Sequence, residues 1–307
     1  MSSRNNRTPI SLLEPYLRLP PEAALLLLTG TLGCSVSWLT ARFVGSLLLT
    51  PQNVSAGGGR GPEGVGDDGT KRLGVVLVSW TRDLTFSNTE LRRSVGVDIA
   101  KLARDEEGRF GFVDCFTTLS PFPEEEEKMM AELEERITAA ITQPTTAAAR
   151  QKRRVVLILD SPDALLALKL CTAQALHTLL LRLRSLAPVH SMILTCSADS
   201  PLLLSAATSD AERLHPITPL EAETAAFAVQ QAHNARFVLS VRELETGAAG
   251  DISGVLRVTR GGAAYDSEDG VSGEEAEEEE EVKEMEALYL VQRDGSAKVF
   301  ERGSNDM

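Results

Sequence analysis

Three features of the sequence predict an α/β fold built on a mostly parallel central sheet. Short apolar runs bounded by turn residues recur along the chain, leucine- and alanine-rich segments of helical spacing separate them, and strand pairs of antiparallel type gather towards the C-terminal end. A length of 307 residues suffices for one large domain of this kind, and a hydrophobic fraction of 43% argues against wholesale disorder. Aromatic residues make up 5% of the chain, so the core must be built mainly from Leu, Val, Ile and Ala.

Four runs read as buried parallel strands: Ala24–Leu28, Val75–Val78, Val155–Leu159 and Met192–Cys196. Each is short and continuously apolar, the pattern of a strand covered on both faces. Phe110–Cys115 is a weaker fifth. Helices are expected over Trp38–Leu49, Leu91–Ala103, Glu124–Ile141 and Ala164–Leu186; the last has Leu165, Leu168, Leu176, Leu179 and Leu183 near one face.

The C-terminal part changes character. Phe237–Val241 and Val255–Thr259 alternate in the manner of exposed-edge strands, while Ala287–Val291 and Ala297–Glu301 flank Asp294-Gly295, a strong hairpin signal. A parallel core flanked by helices, with C-terminal antiparallel hairpins, is the outline of a RecA-like domain, expected as a single unit over residues 1–307. Two stretches, about 53–69 and 266–283, are expected to be disordered insertions, the first Gly-rich and the second an acidic low-complexity run.

The net charge of −13 is concentrated in one place. Asp266 to Glu286 holds twelve acids against Lys283, a net of −11, which leaves −2 for the other 286 residues. The domain itself is nearly neutral, so an acidic total does not exclude a nucleic-acid partner at a local basic patch. No run approaches the ~20 apolar residues of a membrane span, and the polar start, Met1 to Arg7, does not read as a secretory signal. A soluble intracellular protein is expected. Cys34, Cys115, Cys171 and Cys196 form no CxxC pair, and His177, His190, His215 and His233 cluster with nothing, so buried thiols are expected rather than a metal site.

The most informative stretch runs from Ala24 to Leu49. A strand leads through Gly30-Thr31-Leu32-Gly33-Cys34-Ser35-Val36-Ser37 into a helix, the architecture of a P-loop, G-x-x-x-x-G-K-[ST]. Aligned on Gly30, Ser35 replaces the second glycine, Val36 replaces the lysine, and Ser37 keeps the magnesium-binding hydroxyl. The lysine supplies a point charge to the β- and γ-phosphates and to the transition state; valine supplies none. A helix N-terminus still favours an anion weakly.

A matching signal follows at Val155-Val156-Leu157-Ile158-Leu159-Asp160, a buried strand ending in aspartate, the Walker-B form. Asp160 can equally serve as a cap or turn residue for the helix expected near Asp163. Arg150, Lys152, Arg153 and Arg154 precede that strand, and Arg92-Arg93 and Arg257 with Arg260 add further basic groups. Arg257 and Arg260 are the candidates for RNA contact, although a solvated face explains each of these groups more simply. Little aromatic interleaving supports base stacking.

Several segments together carry a resemblance. Leu12-Leu13-Glu14, the Gly-Thr-Leu-Gly-Cys-Ser loop from Gly30, Val75-Val76-Leu77-Val78-Ser79-Trp80, the stretch from Asp251 to Gly262 that contains Ser253-Gly254-Val255-Leu256-Arg257-Val258-Thr259, and Val299-Phe300-Glu301-Arg302-Gly303 make the chain similar to the family of the sixth Elongator subunit in its fungal form. The resemblance implies a RecA-like pseudo-ATPase with no catalytic residue and no cofactor of its own. It implies partners too: the fourth and fifth Elongator subunits in a hetero-hexameric ring, the catalytic Elongator subassembly, and transfer RNA bound by the assembled ring in wobble-uridine modification. A cytoplasmic, or also nuclear, protein follows from it. Val255 and Val258 are the expected interface residues. An active P-loop ATPase with another basic residue in the lysine's role, and a recombinase paralogue binding single-stranded DNA, are the alternatives.

Overall fold

The apolar runs do become neighbouring strands. The computed structural model describes residues 12–49, 73–104, 109–118, 125–142, 154–207, 216–247, 249–266 and 283–301. Within these, β1 (Leu25–Gly30), β2 (Leu73–Ser79), β3 (Phe110–Asp114), β4 (Arg154–Asp160), β5 (Val189–Ser197), β6 (Phe237–Arg242), β7 (Gly254–Arg260), β8 (Met285–Val291) and β9 (Ala297–Phe300) form one sheet. Its order is β3-β2-β4-β5-β1-β6-β7-β8-β9. The first six strands are parallel and the last three antiparallel, which is consistent with a RecA-like fold.

Alternation along each parallel strand divides the core into two layers, because successive side chains point to opposite faces. Leu25, Leu27, Val76, Val78, Val155, Leu157 and Leu159 pack on one side with α4 (Glu126–Thr142), α5 (Ala164–Ala167), α6 (Ala173–Arg184) and Phe227 of α8 (Pro219–Asn234). Leu26, Leu28, Val75, Leu77, Val156 and Ile158 pack on the other, under α1 (Ser37–Leu49), α2 (Leu84–Ser94) and α3 (Ile99–Leu102). Helix α7 (Ser200–Ala207) follows β5, and α9 (Gly262–Asp266) follows β7. No helix among the described residues is long and apolar enough to cross a membrane.

Two expected helices are each broken once. Leu91–Ala103 divides into α2 and α3 at Gly96, whose φ of +75° a helix cannot continue. Ala164–Leu186 divides into α5 and α6 around Lys169, held at φ +56°. Leu165, Leu176, Leu179 and Leu183 of the expected stripe are buried, but Leu168, beside the break, is 66% exposed, because the left-handed turn at Lys169 takes it off the helical face.

The largest correction concerns the strands expected at an exposed edge. β6 pairs in parallel with β1, and β7 is enclosed between β6 and β8, so both are interior strands. Val255 and Val258, the expected interface residues, are each 1% exposed and belong to the chain's own interior. Val258 packs beside Leu239 and Leu256 in the α1-side core. The margins of the sheet are β3 and β9. The stretch about 53–69 and nearly all of 266–283 lie outside the described residues, as do Arg150, Lys152 and Arg153.

Candidate functional site

The carboxyl ends of the parallel strands share one edge of the sheet, where α/β folds place their ligands. Strand register sets Gly30 beside Ser197, and Ser79 beside both Asp160 and Asp114. Four of the residues singled out from the sequence, Gly30, Ser35, Ser37 and Asp160, therefore lie along this edge, with β5 separating β1 from β4.

The loop from β1 into α1 is folded upon itself. Cys34 N–H donates to the Thr31 carbonyl at 2.8 Å, closing a turn in which Gly33 has φ +87°. A β-carbon on Gly30 would stand 2.6 Å from the Cys34 carbonyl oxygen, so only glycine fits beneath the turn. The Glu243 carboxylate occupies the space over Gly33. Leu32 N–H donates to Asp199 Oδ1 at 2.5 Å, and Ser37 N–H donates to Ser35 Oγ at 3.2 Å. An anion nest requires amide protons that converge on empty space. Three amides of this loop already have acceptors in the chain, and two carboxylates stand beside it.

Val36 does not project from the loop as a lysine would. It is half-buried against the α1-side core, and its carbonyl accepts the Leu39 and Thr40 amides, each at 2.9 Å, starting α1. Ser37 Oγ shares a 2.5 Å hydrogen bond with Ser35 Oγ and also accepts one from the Arg82 guanidinium. Arg82 comes from the connection between β2 and α2 and donates to Glu90 Oε2 at 2.8 Å. Burial pushes the Glu90 carboxyl above the usual carboxylate range, with Arg82 pulling it partly back. A fixed cation thus stands at the serine where magnesium would be sought.

Asp160 is 6% exposed and is held by hydroxyls from both neighbouring strands. Oδ2 accepts from Ser79 Oγ at 2.8 Å and Thr81 Oγ1 at 3.4 Å, and Oδ1 accepts from Thr195 Oγ1 at 3.3 Å. It caps no helix; Asp163 stands at that position before α5, without a capping hydrogen bond. Instead Asp163 Oδ2 accepts from Ser197 N–H at 2.9 Å, and Oδ1 is buried without a partner. Burial, reinforced by the charge of Asp160, raises the Asp163 carboxyl above its ordinary range although the Ser197 bond opposes it.

Three buried cysteines among the described residues are not activated as nucleophiles. Burial pushes the Cys115 and Cys171 thiols up to about 12 and Cys196 well above its usual value, so these stay protonated near neutrality. Among the described residues no group of three or more His, Cys, Asp or Glu could hold a metal ion. Arg257 is exposed on β7, and Arg260 is half-buried at that strand's far end, its N–H bonded to Glu284 Oε1 at 2.9 Å. Because β7 runs antiparallel to β6, Arg260 pairs with Phe237, at the end of the sheet opposite the loop. The structure does not bring these arginines to the loop.

Five apolar side chains on the connections that follow five parallel strands are exposed, Leu168 among them although the leucine spacing placed it on a helical face. Phe116, Phe86, Leu168, Leu204 and Leu32 are each between 53% and 85% exposed. They follow β3, β2, β4, β5 and β1, one per connection and in the spatial order of the strands. No protein-family model matches the chain, and no curated protein matches it. The likeness to the Elongator family rests on the segments quoted above.

Proposed function

We propose that the chain is an assembly subunit, RecA-like in fold and without phosphoryl-transfer chemistry of its own, acting in a hetero-hexameric ring with the fourth and fifth Elongator subunits in wobble-uridine modification of transfer RNA. The observation that carries this reading is the loop itself. Three of its amides have acceptors within the chain, Asp199 and Glu243 stand beside it where phosphate charge would have to enter, and Val36 packs against the core. Binding a triphosphate here would require displacing carboxylates as well as supplying a missing cation.

The series of exposed apolar side chains supports the assembly half of the reading. Exposed apolar surface marks interaction sites where it gathers, and these five side chains are exposed on the connections that follow five parallel strands. Arg82 is the basic group to which an ATPase with an unorthodox loop would have to turn, but it is already engaged by Ser37 and Glu90.

The test is reconstitution. The purified chain mixed with the fourth and fifth Elongator subunits is expected to form a stoichiometric complex by size exclusion with light scattering. Nucleoside analysis of transfer RNA from cells lacking the chain is expected to show loss of modified wobble uridine. A chain that stays monomeric in that mixture, with modification intact in the deletion, defeats the reading.

A further inference from the structure

Six serine- or threonine-proline pairs occur in the sequence, at Thr8, Thr50, Ser120, Ser161, Ser200 and Thr218. Thr218 alone also has a proline two residues earlier, in Pro216-Ile217-Thr218-Pro219. All four of these residues are exposed, and they lead into α8. Thr218 has φ −77° and ψ 152°, the extended backbone that a following proline favours. Its hydroxyl and its N–H both donate to Glu221 Oε2, at 2.8 and 2.7 Å, and Thr218 Oγ1 accepts the Glu221 N–H at 3.3 Å. That reciprocal cap accounts for Thr218 and Glu221, and proline is common at the start of a helix. A cap places no demand on Pro216. Of the other pairs, Ser161 is half-buried with φ +60°, and Ser200 lies within α7. Thr8, Thr50 and Ser120 fall outside the described residues.

A protein kinase takes its substrate as an extended strand. A proline-directed kinase encloses the residue after the acceptor where an N–H would be left unpaired, and proline has no N–H to strand there. A second proline stiffens the approach, so little conformational freedom is lost on docking. We propose that Thr218 is a phosphorylation site for a proline-directed protein kinase. The γ-phosphoryl group of ATP passes to Thr218 Oγ1. A bond forms between that oxygen and phosphorus, the bond from phosphorus to the β,γ-bridging oxygen breaks, and ADP leaves. The hydroxyl proton goes to the catalytic aspartate of the kinase. Phosphothreonine can no longer donate from Oγ1, and its charge of about −1.5 to −2 repels the Glu221 carboxylate, which leaves the cap. The phosphate then takes the place of that carboxylate at the amino end of α8, where the helix favours negative charge. The helix stays folded while the surface gains a strong anion. The inference does not depend on the assembly reading, because it rests on residues 216–221 alone.

The test incubates the folded full chain with a recombinant mitogen-activated protein kinase, ATP and magnesium, beside a synthetic peptide of residues 213–223 as reference substrate. Tandem mass spectrometry is expected to place a phosphate on Thr218 in both, with the circular dichroism of the chain unchanged. Pro219→Ala keeps the threonine and its cap, because alanine is the best helix former. It should nevertheless lower labelling of Thr218 about tenfold or more, the effect of one unpaired amide in the kinase pocket. Labelling of the peptide but not of the folded chain overturns the proposal, as does labelling of neither. Equal labelling of Thr218 in Pro219→Ala overturns it too, and so does labelling that begins only once the chain is unfolded in urea.

Discussion

The indole of Trp38 stacks on the ring of Tyr289, with centroids 4.9 Å apart and planes inclined by 27°. The contact joins the first turn of α1 to β8, more than two hundred residues later in the chain. The Cys34 thiol, from the loop, donates to the Ser253 carbonyl at 3.9 Å, just before β7. Burial and these neighbours hold the phenol protonated far above neutrality. The C-terminal strands thus brace the closed loop from beneath. Tyr289→Ala should destabilise the chain by about 3–5 kcal/mol, as for other large buried rings. Tyr289→Phe, which keeps the stacked ring and removes only the hydroxyl, should cost far less. Urea denaturation of both variants checks the difference.

The isolated chain should hydrolyse ATP no faster than a blank, and Val36→Lys alone should not change that. A lysine at this position supplies the charge while Asp199 still engages the Leu32 amide and Glu243 still covers Gly33. Asp199→Ala should instead raise affinity for inorganic phosphate, because it frees an amide and removes a repelling charge. Phosphate-release assays and titration calorimetry separate the two effects. Magnesium-dependent turnover by the unaltered chain would defeat the pseudo-enzyme reading.

Phe116→Glu combined with Leu168→Glu should leave stability within about 0.5 kcal/mol, since both side chains are exposed. The pair should nevertheless abolish entry into the hetero-oligomer. Val255→Asp with Val258→Glu should do the reverse and unfold the chain, because two carboxylates would be buried unpaired at several kcal/mol. Circular dichroism paired with light scattering distinguishes a folded monomer from an unfolded chain.

His190 should make stability fall on the acid side. Its Nε2 donates to the Pro20 carbonyl at 3.0 Å, leaving Nδ1 unprotonated and buried without a partner. Burial chiefly, and then Arg154, hold its pKa below the ordinary 6.5, against opposing effects of the Pro20 bond and Glu22. The folded chain therefore binds fewer protons than the unfolded one in that window. The stabilisation is complete above pH 6.5 and is lost as pH falls from there towards the depressed folded value. In His190→Gln the loss should shrink. Asp163, raised by burial, acts in the opposite sense but is common to both proteins, so denaturation curves between pH 7 and pH 5 isolate the histidine.

The parallel core was legible because each strand announces itself locally, as a short apolar run with turns on either side. The Asp160 position followed the same logic at the end of β4, whereas the order of the strands in the sheet, β3-β2-β4-β5-β1-β6-β7-β8-β9, is set by pairing between distant segments. What the pattern could not give was non-local. Asp199 lies 167 residues from Leu32, and Glu243 reaches Gly33 from beyond the end of β6, so no spacing rule connects them to the loop. Arg82 follows β2 without any surrounding motif. The alternation at Val255 and Val258 correctly indicated a strand, but period alone does not say whether a neighbouring strand covers each side. Glycine or lysine with positive φ inside a leucine-rich stretch is equally invisible to periodicity, which is why two long helices proved to be four pieces.

The two marginal strands are also the two shortest of the nine described: β3 has five residues and β9 four. An unpaired strand edge is a template on which another chain can zip, and brevity is one of the ways natural sheets blunt it. Crowding many copies together therefore gives little purchase for runaway sheet extension into fibrils. Contacts made through side chains on the connections between strands can be undone and remade, whereas a continuous backbone seam would be close to permanent. Short margins thus leave side-chain contacts, rather than backbone pairing, as the route by which the proposed assembly would form and come apart.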